Sequence, residues 1–270
     1  MATKLNVYGL DGKAGSSKQL PKQFDEPVRT DLIKKAVLSI QSKNRQPYGA
    51  FDDAGDRHAV DVSRRRRDYK GSYGKGISRV PRKVLSRRGG NFNWVGARAP
   101  GTKGGRRAHP PKASKEWTRS MNIKENRKAI RSAIAATISA ELVTKRGHKL
   151  PSHYPFILAD AAEQLTKTKD VVLALEKLGF EAELTRSNVV KYKPGVGKSR
   201  GRSKKPVSIL FVTGTADAKL HKAANAIPGV SSVAIQSINA EHLAPGTHAG
   251  RVTLFTESAL KTMEEKKLFL

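Results

Sequence analysis

Apolar and polar positions alternate in two distinct ways along this chain. Leu5-Asn6-Val7-Tyr8-Gly9-Leu10 followed by Asp11-Gly12 predicts a strand running into a turn. Asp31 to Ser42 predicts a helix, with Leu32, Val37 and Ile40 on or near one face. The strongest helical pattern runs from Asn122 to Arg146. Ile130, Ile134, Ile138 and Leu142 form its stripe, Asn122 with Glu125 gives a capping-box-like start, and Gly147 follows a Lys-Arg end. Beyond Gly147 the elements shorten. Phe156–Leu158 predicts a strand, Lys169–Leu178 a helix closed by Gly179, and Phe180–Leu184 a further strand. The continuous apolar run Val207–Val212 suits a buried parallel strand. A helix over Ala216–Ala226, strands over Val230–Ile235 and Val252–Phe255, and a helix over Glu257–Lys266 complete the pattern. This alternation predicts an α/β fold, a mostly parallel sheet with helices on both faces and right-handed crossovers. No repeat with a period of about 20–50 residues is visible.

Between residues 46 and 119 the periodicity stops. Residues 69–115 contain 13 Lys or Arg, no carboxylate, nine glycines and four prolines. The expectation is a long extended basic loop lacking regular secondary structure, an arm over 46–119. The globular body would be 1–45 with 120–270. Loops beyond about 15 residues are usually functional or disordered. A plain solvated linker is the simpler reading, but Tyr69, Tyr73, Phe92, Trp94 and Trp117 are interleaved with the basic residues. Such aromatics suit stacking on unpaired bases, and glycines let the backbone approach phosphates. The arm is therefore read as one that orders on RNA.

Charge sharpens this picture. The formal net charge is +29, from 52 Lys and Arg against 23 Asp and Glu. Of that total, residues 43–119 supply +15 and residues 187–206, a second basic loop within the body, supply +7. A single-sign charge of this size persists most readily beside a polyanion. Cysteine is absent, which excludes disulfides, thiolate metal sites and cysteine nucleophiles. The segment Met1–Gly12 shows no charged-then-apolar leader pattern, and no run of about 18 apolar residues suggests a membrane span. Apolar residues at 37% suffice for a real core.

Three motifs invite a catalytic reading and fall short of it. Gly195-Val196-Gly197-Lys198-Ser199 resembles the end of a phosphate-binding loop, but Tyr192 stands where that pattern needs its first glycine, and a basic run follows instead of an amphipathic helix. His58, His109, His148, His153, His221, His242 and His248 lack metalloprotease spacing, and His109 reads as an RNA contact or packed turn residue. Asp52, Asp53, Asp56 and Asp61 could hold a divalent ion, although a solvated loop at the arm's base is the simpler reading. No acid, base and nucleophile assemble into a site, so neither an enzyme, a cofactor nor a metal is expected.

Several stretches taken together resemble the large-subunit ribosomal protein four family in its archaeal and eukaryotic form. They are Gly74-Lys75-Gly76-Ile77-Ser78-Arg79-Val80-Pro81-Arg82, Gly104-Gly105-Arg106-Arg107-Ala108-His109-Pro110-Pro111-Lys112 and Asn126 to Thr137, with Leu243-Ala244-Pro245-Gly246-Thr247-His248 and Gly250-Arg251-Val252-Thr253 near the end. Eukaryotic members carry a long extension past the position of Leu270, so the archaeal form is the nearer expectation. The resemblance implies an α/β body on the outer surface of the cytoplasmic large subunit, bound to ribosomal RNA. It also implies a loop that reaches the nascent-peptide exit tunnel beside ribosomal protein twenty-two, near the nascent peptide. By position Arg79 to Arg98 would lie nearest the tunnel, and Arg87 to Trp94 departs from the family's usual sequence.

The residues expected to meet RNA follow from charge, aromaticity and place. In the arm they are Arg64, Arg65, Arg66, Arg67, Tyr73, Lys75, Arg79, Arg82, Lys83, Arg87, Arg88, Phe92, Trp94, Arg98, Lys103, Arg106, Arg107, His109, Lys112, Lys115 and Trp117. Arg127 and Arg131 join them from the long helix, and Lys198, Arg200 and Arg202 from the second loop. The expected role is structural: binding ribosomal RNA, assisting subunit assembly and lining the tunnel. A free RNA-binding regulator and a nucleotide-dependent RNA-modifying or hydrolytic enzyme are the two rivals.

Overall fold

The structure is a computed structural model that describes residues 4–60 and 62–270, so Asp61 lies outside the described residues. Two compact units emerge. One comprises the chain up to Asn44 together with Thr118–Leu270, the other Arg45–Trp117. The larger unit begins with β1 (Lys4–Tyr8), β2 (Ala14–Gln19) and α1 (Thr30–Lys43), and the smaller contributes β3 (Arg82–Arg88) and β4 (Asn91–Gly96). The chain continues with α2 (Ile123–Ile138), α3 (Ala140–Lys145), β5 (Ile157–Leu158), α4 (Thr168–Lys177) and α5 (Glu181–Asn188). Next come β6 (Lys191–Tyr192), α6 (Val196–Ser199), β7 (Ser203–Lys204), β8 (Leu210–Thr213), α7 (Leu220–Asn225), β9 (Ser231–Ala234), α8 (Ala240–Leu243), β10 (Thr253–Thr256) and α9 (Glu257–Glu265).

Six strands form the central sheet in the order β2-β1-β5-β10-β8-β9, parallel throughout except for β2, which pairs antiparallel with β1 at one edge. Strand periodicity sends alternate side chains to opposite faces. Leu210, Val212, Ile157 and Phe255 pack into one core with Ile33, Val37, Ile130, Ile134, Leu260 and Met263 from α1, α2 and α9. Ile209, Phe211, Leu158 and Leu254 pack into a second core with Val171, Leu175 and Leu220 from α4 and α7. Helices cover both faces, as the alternation predicts.

Four expectations need correction. The long helix is two helices, because Ser139 adopts an extended conformation (φ −72°, ψ 104°) between α2 and α3. Its first residue, Asn122, makes no side-chain cap, and Glu125 instead accepts from Lys35 Nζ at 2.8 Å. Phe180–Leu184 is not a strand. Phe180 and Leu184 lie four apart, one helical turn, and the Leu184 amide donates to the Phe180 carbonyl at 2.9 Å as α5 begins. Finally, the arm does contain regular structure, the antiparallel hairpin of β3 and β4.

Candidate nucleic-acid interface

The smaller unit builds its own scaffold from backbone that carries almost no apolar core. The Ala50 amide donates to the Pro111 carbonyl at 2.8 Å, and Arg106 N donates to Arg98 O at 3.2 Å. Glycine makes this approach possible. At Gly55 (φ +80°) a Cβ would stand 2.6 Å from the Arg106 amide nitrogen, and at Gly49 one would stand 2.6 Å from the Ala113 nitrogen. Asp56 forms an ion pair with Arg98 across the same seam. Asp52, Asp53 and Asp56 do not converge on an ion site: among the described residues no group of three or more metal-ligating side chains forms.

The arm's aromatics meet one another and its cations. Tyr48 and Trp117 lie 4.7 Å apart between ring centroids, with Arg45 over Trp117 at 4.5 Å and Lys115 at 5.3 Å. In the hairpin, Val84 pairs with Trp94 and Arg88 with Asn91 across the turn at Gly89-Gly90, Gly89 having φ +56°. Phe92 and Trp94 are two residues apart on β4 and therefore share a face, where they stack at 5.1 Å. Tyr69 meets Phe92 edge-on at 5.4 Å, and Lys75 sits 5.3 Å from the Phe92 ring and 5.1 Å from Trp94. Arg82 lies 5.7 Å over Trp94, and Arg87 donates to the Tyr69 hydroxyl at 2.6 Å. Arg79 packs over Tyr73 at 4.9 Å. Such contacts fix the flexible cations at modest cost, each being worth about 0.5–1 kcal/mol at exposed sites. Two signals in the sequence point to this hairpin: β-forming side chains at Val84, Leu85, Phe92, Trp94 and Val95, and a Gly-Gly turn between them.

Most of the expected RNA-facing residues lie at the surface. Arg64, Arg65, Arg66, Arg67, Tyr73, Lys75, Arg79, Arg87, Arg88, Arg98, Lys103, Arg106, Arg107, His109, Lys112 and Lys115 are exposed. Arg82, Lys83, Phe92, Trp94 and Trp117 are half-buried. Of the two helical arginines, Arg131 is half-buried and pairs with Glu26 at 2.9 Å, and Arg127 is exposed and donates to the Leu270 carbonyl at 2.9 Å.

The second basic loop is a small hairpin. Lys191 pairs with Lys204 and Tyr192 with Ser203, and the single turn α6 sits between them with Lys198, Arg200 and Arg202 exposed. Four-residue α6 is no phosphate-gripping helix. A buried network stands where this loop leaves the body. The Glu183 carboxylate accepts from the Lys149 amide (2.9 Å), Arg186 Nε (2.8 Å) and Ser208 Oγ (2.8 Å), and lies 2.7 Å from His148 Nδ1. Arg186 also donates to the Val207 carbonyl at 2.8 Å. Burial alone would raise the Glu183 pKa, but hydrogen bonds from Arg186, His148 and the Lys149 amide outweigh it and hold the group at about 2. Burial lowers the His148 pKa despite Glu183 beside it. Neighbouring Arg251 is buried and donates to the carbonyls of Ser208 (2.7 Å) and His242 (2.9 Å).

In open α/β sheets, ligands bind outside the carboxyl ends of the strands. Here that crevice is filled from within. Glu163 Oε1 accepts from the Gly214 amide at 2.9 Å, from Thr256 Oγ1 at 2.7 Å and from Ser258 Oγ. Asp160 accepts from the Ser258 amide at 2.7 Å, and Thr256 caps α9. The carboxylates at the usual catalytic edge are thus consumed in holding β8, β10 and α9 together.

A two-faced α/β body whose strand-end carboxylates are engaged in internal hydrogen bonds, joined to exposed basic segments, defines the class as one that presents charge at its surface. Comparison with known proteins gives the class its name. A family model described as the ribosomal protein L4/L1 family matches residues 18–266. A large ribosomal subunit protein uL4 of Nanoarchaeum equitans is 45% identical over 267 residues, covering 97% of this chain and 98% of the relative. That of Methanococcoides burtonii is 44% identical over 264 residues, covering 97% and 98%, and that of Halobacterium salinarum 40% over 267 residues, covering 97% and 100%. The chain belongs to the ribosomal protein L4/L1 family. It is accordingly a structural ribosomal protein of archaeal type and not an enzyme, and its compartment is the cytoplasm, where archaeal ribosomes reside.

Proposed function

We propose that this protein binds the ribosomal RNA of the large subunit through its arm and its second basic loop, assists assembly, and carries the β3–β4 hairpin to the wall of the nascent-peptide exit tunnel. The observation that carries the reading is the run of 13 exposed or half-buried cations over residues 69–115 without one carboxylate. Phosphates would neutralise these side chains and release counterions, and fork-shaped guanidinium groups would fix register. In this reading the exposed Arg64 to Arg67 hold the arm's entrance. The hairpin tip at Gly89-Gly90 then faces the tunnel, with a ribosomal protein twenty-two neighbour and the nascent peptide within reach. The test combines sedimentation with ribonuclease footprinting. The tagged chain should travel with large subunits, and its arm should protect ribosomal RNA. Sedimentation away from subunits with a short defined RNA bound would favour a free regulator instead.

A further inference from the structure

One groove on the body has a lining unlike the rest of the chain. Its wall carries two carboxylates, Glu176 and Glu181, and no lysine or arginine, in a protein whose net charge is +29. The groove runs between α4, α5 and the end of α7, with Val172, Leu184, Ile227 and Pro228 along its floor and the two glutamates on its rim. The spacing explains the arrangement. Val172 and Glu176 lie one turn apart on α4, and Glu181 and Leu184 nearly one turn apart on α5, so each helix offers one apolar and one acidic position to the same trough. Both glutamates are exposed, and among the described ion pairs neither takes part. Leu173 beside them is 44% exposed and Val189 52% exposed. An apolar trough with an acidic rim repels phosphate and selects lysine or arginine next to aliphatic side chains.

We infer that this groove docks a basic, aliphatic peptide segment of another protein, so that the molecule turns a cationic surface to nucleic acid and an acidic one to a cationic protein neighbour. Charge complementarity chooses the occupant. A protein neighbour within an RNA-rich assembly is itself basic, and the carboxylates at Glu176 and Glu181 would meet its ammonium or guanidinium groups while its aliphatic side chains cover Leu184 and Ile227.

Two measurements test this. In the first, Thr185 on the groove is replaced by p-benzoylphenylalanine, and large subunits purified from cells carrying the variant are irradiated. The expected product is a cross-link to a peptide with at least two Lys or Arg beside aliphatic residues, with a yield that falls at least fivefold when Glu176→Lys and Glu181→Lys reverse the rim. In the second, the full free chain is titrated with a synthetic peptide of alternating leucine and lysine and with its leucine–glutamate counterpart, read by fluorescence anisotropy. The cationic peptide should bind saturably and about tenfold more weakly to the reversed chain, and the acidic peptide should not bind the wild type. Both glutamates are exposed, so an unchanged circular-dichroism spectrum should show the reversed chain folded. A cross-link to RNA, to a second copy of this chain or to an acidic segment, no cross-link at all, or peptide binding insensitive to the reversal would each overturn the inference. The free-chain titration requires no ribosome, so it separates failure of this site from failure of the RNA-binding reading.

Discussion

Ser208 Oγ donates to Glu183 Oε1 at 2.8 Å although the two residues are 25 positions apart, and the whole second basic loop lies between them. The bond ties α5 to the segment leading into β8, where the chain re-enters the body, and Arg186, through the Val207 carbonyl, doubles the tie. Glu183→Gln keeps the size of the side chain but removes the charge that Arg186 and His148 are arranged around. Breaking a buried pair by removing one partner costs about 3–5 kcal/mol. Because Arg186 stays partly open to solvent, a cost nearer 3 kcal/mol is expected. Urea unfolding should show a lower midpoint with an unchanged slope. An unaltered midpoint would show that Glu183 contributes no net stability.

Acid should weaken the body in two stages. His148 and His242 are both pushed below their ordinary 6.5, chiefly by burial. The unfolded chain therefore binds protons that these folded histidines refuse, and stability falls as the pH drops below about 6.5. Glu183 has its folded value depressed from 4.5 to about 2, so its contribution is complete above 4.5 and fades as the pH falls through the window down to about 2. Melting temperatures measured from pH 8 to pH 3 should decline first gently and then steeply, and His148→Asn should flatten the first decline.

Charge reversal should separate the arm from the second basic loop. Arg106→Glu with Arg107→Glu should weaken binding to a ribosomal RNA fragment and lower the salt slope by about 0.7–0.9 for each phosphate no longer neutralised. Lys198→Glu, Arg200→Glu and Arg202→Glu together should do the same if the second loop also meets RNA. Filter binding at several salt concentrations, with an unrelated RNA of equal length as control, gives both numbers. Equal affinity for the two RNAs would reduce the arm to a non-specific polycation.

Trp94→Ala should behave differently from these. It removes the ring that stacks on Phe92 and carries Lys75 and Arg82, but no charge. Affinity should fall by about 1–3 kcal/mol if the ring meets a base, with almost no change in slope. A slope that fell as well would mean that Trp94 acts by placing the two cations.

The hairpin should be removable. Arg82 pairs with Gly96, and the Ala97 amide donates to the Pro81 carbonyl at 2.9 Å, so the chain ends left by excising residues 83–95 are already close. A short glycine bridge there should leave the seam from Gly49 to Ala113 in place. The variant should enter subunits and alter nascent-chain cross-links at the tunnel. Exclusion from subunits would place the main recognition in the hairpin.

How much of this is readable from sequence depends on how local the signal is. β8 announces itself through the consecutive apolar residues Ile209 to Val212, which a strand covered on both faces requires, and α2 does so through Ile130 and Ile134. β2 carries no such mark: Ala14–Gln19 is a mostly exposed edge strand paired, among the described residues, with β1 alone, so its residues need not be apolar. The helix α5 reads as a strand because Phe180, Ala182 and Leu184 satisfy a two-residue period as well as a helical one. The candidate RNA-facing residues are legible as charges, but their grouping is not. That Lys75 sits over Phe92 and Trp94, or that Arg131 turns to Glu26, depends on chain reversals that pairwise spacing does not encode.

The glycine seam sets the gauge of the arm. Adjacent strands in a sheet run about 4.7–4.9 Å apart because hydrogen bonds hold them there. At Gly55 and Gly49 the two legs close until a single methyl group would stand 2.6 Å from the opposing backbone nitrogen. At these points two main chains meet with no side chain between them, and two hydrogen atoms in place of two methyl groups allow it. Exchange of either glycine for alanine would therefore act as a change of calibre, felt by any passage that the arm must fit, even with every charge still in place.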